Sequence, residues 1–288
     1  MKIKKAVFPV AGLGSRFLPA TKANPKEMLP IVDKPLIHYA VEEAVLAGIT
    51  DLILVTSSRK SSIEDYFDRN VELEAHLEKQ NKHDILKIVR DILPANVNCI
   101  YIRQPQPLGL GDAVLCARPI VGDEPFAVLL ADDLMDCKEK SCLQQMCEVF
   151  LETSSSIVAV ESITPEQTDK YGVVALKKEH PYYNKISGIV EKPKSELAPS
   201  HLGVAGRYIL TPGIFNCLQQ VASGHAGEVQ LTDAISLLLK QESVYAYEFI
   251  GKRHDCGSKL GYLEATIAYA LKHPQLSENF SKILQSYV

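Results

Sequence analysis

Short apolar runs alternate with amphipathic stretches along the first half of the chain. The runs have the length of buried strands, and the stretches between them repeat their apolar positions at helical spacing. Phe126–Leu130 contains no polar residue, which is typical of a strand covered on both faces. The predicted strands are Ala6–Val10, Leu52–Val55, Val97–Ile102, Phe126–Leu130 and Ile157–Val160, and the predicted helices include Leu36–Ala47 and Cys142–Glu152. This order predicts a doubly wound α/β sheet.

The second half is richer in β-structure and more interrupted. Strands are predicted at Val173–Leu176, Ile186–Val190, Val204–Leu210 and Val244–Ile250, and helices at Pro212–Ala222, Leu231–Lys240, Leu260–Lys272 and Pro274–Val288. The charged segment Val71–Ile92 has apolar positions at helical spacing and is predicted to be an insertion, either a surface helical pair or a partner contact. Because neither a linker nor a repeat is evident, we expect one domain over residues 1–288, with the insertion near 71–92 and C-terminal helices over 258–288.

The loop after the first predicted strand is the strongest local signal of chemistry. The strand leads into Ala11-Gly12-Leu13-Gly14-Ser15-Arg16, and Lys26 follows ten residues after Arg16. Glycines allow backbone N–H groups to approach phosphate oxygens, and the two cations would supply charge for a triphosphate. The loop lacks the Gly-Lys-Ser/Thr of a Walker A motif, and Phe17 replaces the third glycine of a Rossmann fingerprint. A plain glycine-rich turn remains the alternative.

Further polar residues follow other predicted strands at their carboxyl ends, where open α/β sheets bind nucleotides. Gln104 offers an amide suited to a base edge, and Gly109 permits close approach to a flat ring, although a proline-rich loop would look the same. Asp132 and Asp133 end a buried strand, which suits Mg²⁺ beside phosphates or, alternatively, a helix cap.

Two later segments extend this set. The adjacent Glu191 and Lys192 could hold a sugar hydroxyl and a phosphate together, or form an exposed ion pair. Asp255 is a candidate second metal carboxylate or an N-terminal helix cap.

Composition excludes several classes of protein. Of the 288 residues 46% are hydrophobic and the net charge is −4 without a basic block, so nucleic acid is not an expected partner. The seven cysteines form no C-x-x-C pair, so we expect reduced thiols and no zinc site. The N-terminal lysines precede a run broken by Pro9 and no long apolar run occurs, so we expect a cytoplasmic protein without a membrane span.

Eight motifs in order give the chain a resemblance that covers it from about Lys5 to His273. They are AGLGSR, PKEMLP, QPLGLGDA, LLADD, VEKP, GVAGRY, GEVQLTDAI and DCGSKLGYLEA. Together they resemble the bacterial UTP–glucose-1-phosphate uridylyltransferases, which are sugar nucleotidyltransferases. The chain departs from that family's pattern at Asp112, where histidine is more usual, and at Ser15, where related enzymes often have threonine.

The resemblance implies a Rossmann-like nucleotidyltransferase fold with a mixed, mostly parallel central sheet flanked by helices. It also implies that UTP and glucose 1-phosphate give UDP-glucose and pyrophosphate with Mg²⁺, in a homodimer or homotetramer. Carried over by position, it assigns Ala11, Gly12, Gln104 and Gly109 to uracil and ribose, Arg16 and Lys26 to the triphosphate, Gly172, Glu191 and Val204 to glucose, Lys192 to the sugar phosphate, and Asp132 with Asp255 to the metal. Gly14, Glu27 and Asp133 complete the predicted substrate-binding set.

The predicted inventory is consistent with this chemistry. A sugar phosphate is largely dianionic at neutral pH, since its second pKa is about 6, so it needs no general base to become a nucleophile. Cations and positioning must instead overcome the repulsion between two anions. Two alternatives remain: a glucose-1-phosphate thymidylyltransferase on the same fold, and a non-catalytic regulatory protein that binds a sugar nucleotide.

Overall fold

A computed structural model of the chain describes residues 2–58, 60–177, 180, 183–221 and 227–287. Its strands are β1 (Lys5–Pro9), β2 (Pro30–Ile31), β3 (Lys34–Pro35), β4 (Asp51–Thr56), β5 (Asn98–Arg103), β6 (Phe126–Leu129), β7 (Asp133–Asp136), β8 (Ser156–Ser162), β9 (Gly172–Lys177), β10 (Tyr183–Glu191), β11 (Leu202–Leu210), β12 (Val244–Glu248) and β13 (Lys252–Asp255). Its α-helices are α1 (Leu36–Leu46), α2 (Ser61–Phe67), α3 (Val71–Lys79), α4 (His83–Arg90), α5 (Leu110–Cys116), α6 (Arg118–Val121), α7 (Cys142–Thr153), α8 (Gly213–Gln220), α9 (Leu231–Leu238), α10 (Lys259–Ala270) and α11 (Ser277–Gln285).

Within the described residues, nine strands form one sheet in the order β5-β4-β1-β6-β11-β8-β12-β10-β9. The strands from β5 to β6 are parallel neighbours, as is the pair β8 and β12. The pairings of β11 and β10 with their neighbours are antiparallel. The predicted α/β class and mixed sheet are therefore confirmed, with the continuous parallel part confined to the N-terminal strands.

Helices cover both faces of the sheet because its strands are apolar on both sides. Phe8 and Leu129 point into a core packed under α1 and α7. Val7 and Phe126 point into the opposite core, under α5, α8 and α9, where the rings of Phe126 and Phe215 stack. This two-sided burial explains why the run at Phe126–Leu130 has no polar position.

Two helical segments lie apart from these cores. Helices α3 and α4 occupy the predicted insertion and pack on each other through Leu77 and Leu86, while Val71 and Ile88 remain exposed. Helix α10 packs on β13, and α11 contains no buried residue. Helix α8 ends at Gln220, and the predicted helical positions Ala222 and Val288 lie outside the described residues. Among the described helices, none is both long and apolar enough to cross a bilayer.

Candidate active site

The glycine loop leaves the carboxyl end of β1 and turns sharply at Gly14. Gly14 has a φ of 64°, a left-handed conformation that favours glycine. A methyl group at this position would lie 3.2 Å from the Cβ of Lys26, and the Gly14 carbonyl accepts a 2.7 Å hydrogen bond from Thr21. The glycine therefore lets the loop pack directly against the segment that carries Lys26.

A cavity of about 460 Å³ opens where this loop faces the ends of β6 and β10 and the middle of β11. It brings together ten of the predicted site residues, from segments scattered over most of the chain. These are Gly12, Gly14, Arg16, Lys26, Asp132, Asp133, Gly172, Glu191, Lys192 and Val204.

A second cavity, of about 410 Å³, lies on the other side of the glycine loop. Its lining consists of Ala11, Ser57, Ser58, Arg103, Gln104 and two prolines, and it shares Leu13 with the first cavity. Gly109 lies behind it at the start of α5, with a φ of 100°, and its carbonyl accepts a 3.2 Å hydrogen bond from Gln104. The loop Ala11–Gly14 therefore divides two adjoining spaces, of which only the first is rich in charged side chains.

Lys26 and Asp132 form an ion pair at the floor of the first cavity. Lys26 Nζ lies 2.5 Å from Asp132 Oδ2, and the two side chains are 24% and 22% exposed. Burial opposes ionisation of both groups, but their mutual attraction outweighs it, so the pKa of Asp132 is lowered and that of Lys26 is raised. Both groups therefore carry their charges at neutral pH.

Asp132 and Asp255 face one small space beside Gly257. A methyl group at Gly257 would lie 2.9 Å from Asp132 Oδ2, 3.0 Å from Asp255 Oδ1 and 3.1 Å from Arg16 Nη1. Asp255 is oriented by 3.0 Å hydrogen bonds that the Tyr171 hydroxyl and the Gly257 N–H donate to its two oxygens. Two carboxylates that converge on a gap kept open by a glycine fit a hard divalent cation.

The two carboxylates fit a cation that keeps part of its hydration shell. In the part of the chain that the structure describes, no group of three or more His, Cys, Asp or Glu side chains converges on one point. The remaining ligands would have to be water or phosphate oxygens, which is how Mg²⁺ is commonly held beside nucleotides.

Glu191 and Lys192 lie at the end of β10, on the wall of the cavity opposite Lys26 and Asp132. Lys192 has a φ of 44°, and its half-exposed side chain places Nζ 3.3 Å from Glu191 Oε1. A positive φ in a residue other than glycine is strained, and such strain clusters at functional sites. Glu191 Oε2 accepts a 2.7 Å hydrogen bond from Thr232.

Gly172 and Val204 complete this wall. A methyl group at Gly172 would lie 3.2 Å from Thr232 Oγ1 and 3.4 Å from both Glu191 Oε2 and Val204 Cγ2. The glycine therefore keeps room beside a carboxylate and a hydroxyl, groups that can bind sugar hydroxyls. Thr232 was not among the predicted residues, although it lies in the GEVQLTDAI motif.

Asp133 lines the cavity but is held by Arg253. The Arg253 guanidinium lies 2.7 Å from Asp133 Oδ1, is also bound to Glu161, and lies over the Tyr171 ring at 4.4 Å. Burial, with the nearby Asp132 and Asp255, raises the pKa of Asp133 to about 6 against the effect of Arg253. This carboxylate therefore positions Arg253 and Tyr171, and through them Asp255.

Glu27 is turned away from the cavity. Its side chain is 1% exposed and accepts a 2.7 Å bond from Lys60, while Oε1 is buried without a partner. Burial raises the pKa of Glu27 and lowers that of Lys60. The structure thus places Glu27 behind Lys26 rather than against a ligand, because its carboxylate needs the buried lysine to offset desolvation.

Arg207 links β11, which carries Val204, to the turn that carries Asp132. Its guanidinium is 1% exposed, lies 2.8 Å from Glu43 Oε2, and donates 2.8 Å bonds to the carbonyls of Leu130 and Asp133. The turn that carries Asp132 is therefore fixed from below by a residue of β11. The GVAGRY motif contains Arg207, but nothing local in the sequence indicates that its partner is Glu43 on α1.

Residues 5–271 match the family model described as "Nucleotidyl transferase". The chain belongs to the nucleotidyl transferase family. Within this family it is 48% identical over 286 residues to UTP–glucose-1-phosphate uridylyltransferase 2 of Staphylococcus saprophyticus, with 98% of each chain covered. The resemblance inferred from the eight motifs is confirmed.

Solved structures of the family superpose closely. The UTP-bound UGPase from Acinetobacter baumannii has a TM-score of 0.92 at 47% identity and covers 98% of this chain and 99% of its own. A UDP-glucose pyrophosphorylase complexed with UDP-glucose has a TM-score of 0.87 at 47% identity, covering 94% of this chain and 100% of its own. The nucleotidyl transferase fold therefore extends over nearly the whole chain.

Proposed function

We propose that the protein transfers the uridylyl group of UTP to glucose 1-phosphate, giving UDP-glucose and pyrophosphate. The observation that carries this is that one cavity has Arg16, Lys26 and Asp132 on one wall and Glu191 with Lys192 on the other. One wall suits a triphosphate and a metal, and the other suits a sugar phosphate. The relatives named for this reaction, and the related enzymes solved with UTP and with UDP-glucose, support the same assignment.

The chemistry is an in-line substitution at the α-phosphorus of UTP. A phosphate oxygen of glucose 1-phosphate forms the new P–O bond, and the bond from the α-phosphorus to the α,β-bridging oxygen breaks, releasing pyrophosphate. Because the nucleophile is already anionic, the chain has to supply charge and alignment rather than a base. Arg16 and Lys26 neutralise the triphosphate, and Lys192 holds the attacking phosphate against it.

Mg²⁺ is the metal we assign to the space beside Gly257. Asp132 and Asp255 would hold it, and when bound it supplies positive charge to the phosphates and the departing pyrophosphate. Lys26 remains bound to Asp132 and orients that carboxylate toward the same space. Tyr171 does the same for Asp255.

The two cavities divide the recognition of the nucleotide and the sugar. Ala11 and Gln104 line the less charged cavity, which we assign to uracil and ribose. Gly109 lies behind Gln104, and Gly12 lines the first cavity from the glycine loop between the two spaces. Gly172, Glu191 and Val204, together with Thr232, surround the space that we assign to glucose. The glycine loop lies between these subsites, where the α-phosphate would be.

Pyrophosphate release is the decisive assay. The purified protein, mixed with glucose 1-phosphate and UTP, is expected to release pyrophosphate in a Mg²⁺-dependent reaction and to form UDP-glucose in equal amount. Faster turnover with dTTP than with UTP would favour the thymidylyltransferase instead. Absence of turnover with every nucleoside triphosphate, together with retained UDP-glucose binding, would favour a regulatory protein.

Assembly and location are further proposals. We propose a homodimer or homotetramer, which sedimentation at several protein concentrations would test. A cytoplasmic location is supported by the seven cysteines, all of which are free thiols, since a reducing compartment keeps them so.

A further inference from the structure

Asp112 lies behind Gln104, on the far side of that residue from the less charged cavity. Gln104 is buried, and its Nε2 lies 2.7 Å from Asp112 Oδ2 and 3.2 Å from the Gly109 carbonyl oxygen. A carboxylate and a carbonyl only accept hydrogen bonds, and an amide nitrogen carries two hydrogens. Both hydrogens of Gln104 are therefore directed away from the cavity.

This arrangement determines which way the amide faces. Turning it over would place Oε1 against two acceptors and leave both of them without a donor, which is costly in a buried place. Gln104 Oε1 accepts no hydrogen bond from the residues that the structure describes. It is also absent from the set of fully buried polar atoms without a partner, so it is accessible. Gln104 consequently offers its carbonyl oxygen to whatever enters the cavity.

The backbone holds Asp112 in this place. It is the third residue of α5, and the N–H of its neighbour Gly111 donates a 2.8 Å bond to the Val229 carbonyl. The Val229 N–H in turn donates a 2.7 Å bond to the Leu108 carbonyl. A methyl group at Gly111 would lie only 2.7 Å from Val229 O, so the start of α5 is packed tightly against this segment.

We propose that Asp112 is a positioning residue for base recognition, which holds the Gln104 amide with its oxygen toward the base. This inference rests on the proposed function and concerns which nucleotide base the site accepts. Uracil and thymine present an N–H at ring position 3, which such an oxygen accepts. Cytosine has an unprotonated N3 there, and two acceptors would face each other. Asp112 therefore disfavours cytosine nucleotides without distinguishing UTP from dTTP.

A purely structural role makes a different prediction. An acidic residue in the first turn of a helix stabilises that helix through the helix dipole, whatever base is bound. Loss of that effect would lower stability but would leave the preference among bases unchanged. The ratio of activities with two bases therefore separates the two roles.

The experiment compares Asp112→Ala and Asp112→Asn with the unaltered protein, using kcat/KM for UTP, dTTP and CTP at saturating glucose 1-phosphate. Asp112→Ala is expected to lower the UTP:CTP ratio about tenfold or more, on the scale of one base-edge contact, and to leave UTP:dTTP within about twofold. Asp112→Asn keeps an acceptor oxygen and the residue's shape, so a smaller fall is expected and the test survives if alanine impairs folding. Asp84→Asn, an exposed acidic residue in the first turn of α4, is the matched control and should change neither ratio.

A double-mutant cycle completes the test. If Asp112 acts through Gln104, adding Asp112→Ala to Gln104→Ala changes the UTP:CTP ratio no further. An unchanged UTP:CTP ratio in both Asp112 variants would overturn the inference. So would an equally large effect of Asp112→Ala on that ratio in the protein that already carries Gln104→Ala. Failure of the unaltered protein to use UTP would instead contradict the proposed function, and this outcome is distinct from a failure of the inference about Asp112. Where turnover with CTP is too slow, the inhibition constant of CTP against UTP is compared among the variants instead, as a measure of binding.

Discussion

The two walls of the cavity are built in different ways. On the nucleotide wall, both carboxylates are held in place: Asp132 is paired with Lys26, and Asp255 accepts a hydrogen bond from the Tyr171 hydroxyl. On the sugar wall, Lys192 is half exposed on strained backbone and has only its neighbour Glu191 for a partner among the described side chains. The first wall is preorganised by its own contacts, whereas the second presents a cation whose best partner would be an incoming phosphate.

The Arg207–Glu43 ion pair, which links the two walls, should be the point at which a substitution costs the most stability. Glu43→Gln leaves the fully buried Arg207 without its counter-ion, and such a loss typically costs about 3–5 kcal/mol of the free energy of unfolding. Urea unfolding measures this change. Glu74→Gln is the matched control: Glu74 is likewise a buried carboxylate bound by arginine, but its partners Arg69 and Arg90 are 71% and 42% exposed, so the effect should be clearly smaller. Equal destabilisation by the two variants would contradict this view of the joint.

The preorganised wall should show the largest effect on catalysis. Asp132→Asn removes a negative charge that both holds Lys26 and faces the metal space, so activity with Mg²⁺ should fall by on the order of 10²-fold or more. A Mg²⁺ titration of initial rates, with UTP and glucose 1-phosphate saturating, is the measurement. An unaltered titration curve would exclude the assigned role. Asp84→Asn again serves as the control for the loss of one surface charge.

The sugar wall should respond more selectively. Lys192→Ala is expected to lower turnover by about tenfold to 10²-fold and to raise the KM for glucose 1-phosphate, with little change in the KM for UTP, because only one substrate loses its cation. The fold should survive, since Lys192 is half exposed. Lys194→Ala, two residues further on and exposed, is a control of the same type. A rate near that of the unaltered protein at saturating glucose 1-phosphate would refute the role.

The smallest of these effects is expected at the gap between the carboxylates. Gly257→Ala would place a methyl group about where the metal is proposed to lie, within 3.1 Å of Arg16, Asp132 and Asp255. We expect the Mg²⁺ concentration needed for half-maximal activity to rise about tenfold, with little change in thermal stability. Gly188→Ala on β10, outside the cavity lining, is a useful comparison, since a methyl group there meets no atom closer than 3.9 Å. Equal metal dependence in both variants would argue against this location for the cation.

Local patterns predicted most of the fold and much of the site. Continuous apolar runs placed β1, β4 and β6 close to their observed bounds, because a strand buried on both faces must be apolar throughout. The loop Ala11–Arg16 was recognisable because glycines let the backbone approach a phosphate closely. The pair Asp132-Asp133 was recognisable because carboxylates at the end of a buried strand are costly unless they bind something. Ten of the predicted residues do line one cavity.

The main strands of the central sheet, most of the longer helices, the glycine loop and the motif order, and hence the family of this protein, follow from the sequence, whereas the short strand pairs β2–β3 and β7–β13 were not predicted from it. Tertiary structure alone decided how its charges are distributed: Glu27 pairs with Lys60 behind the site, Arg207 pairs with Glu43 across 164 positions, and Asp112 orients Gln104. The physical reason is that helix and strand propensity act over a few residues. The partner of a buried charge, in contrast, is whichever group the fold brings within about 3 Å, and that depends on the whole sheet order.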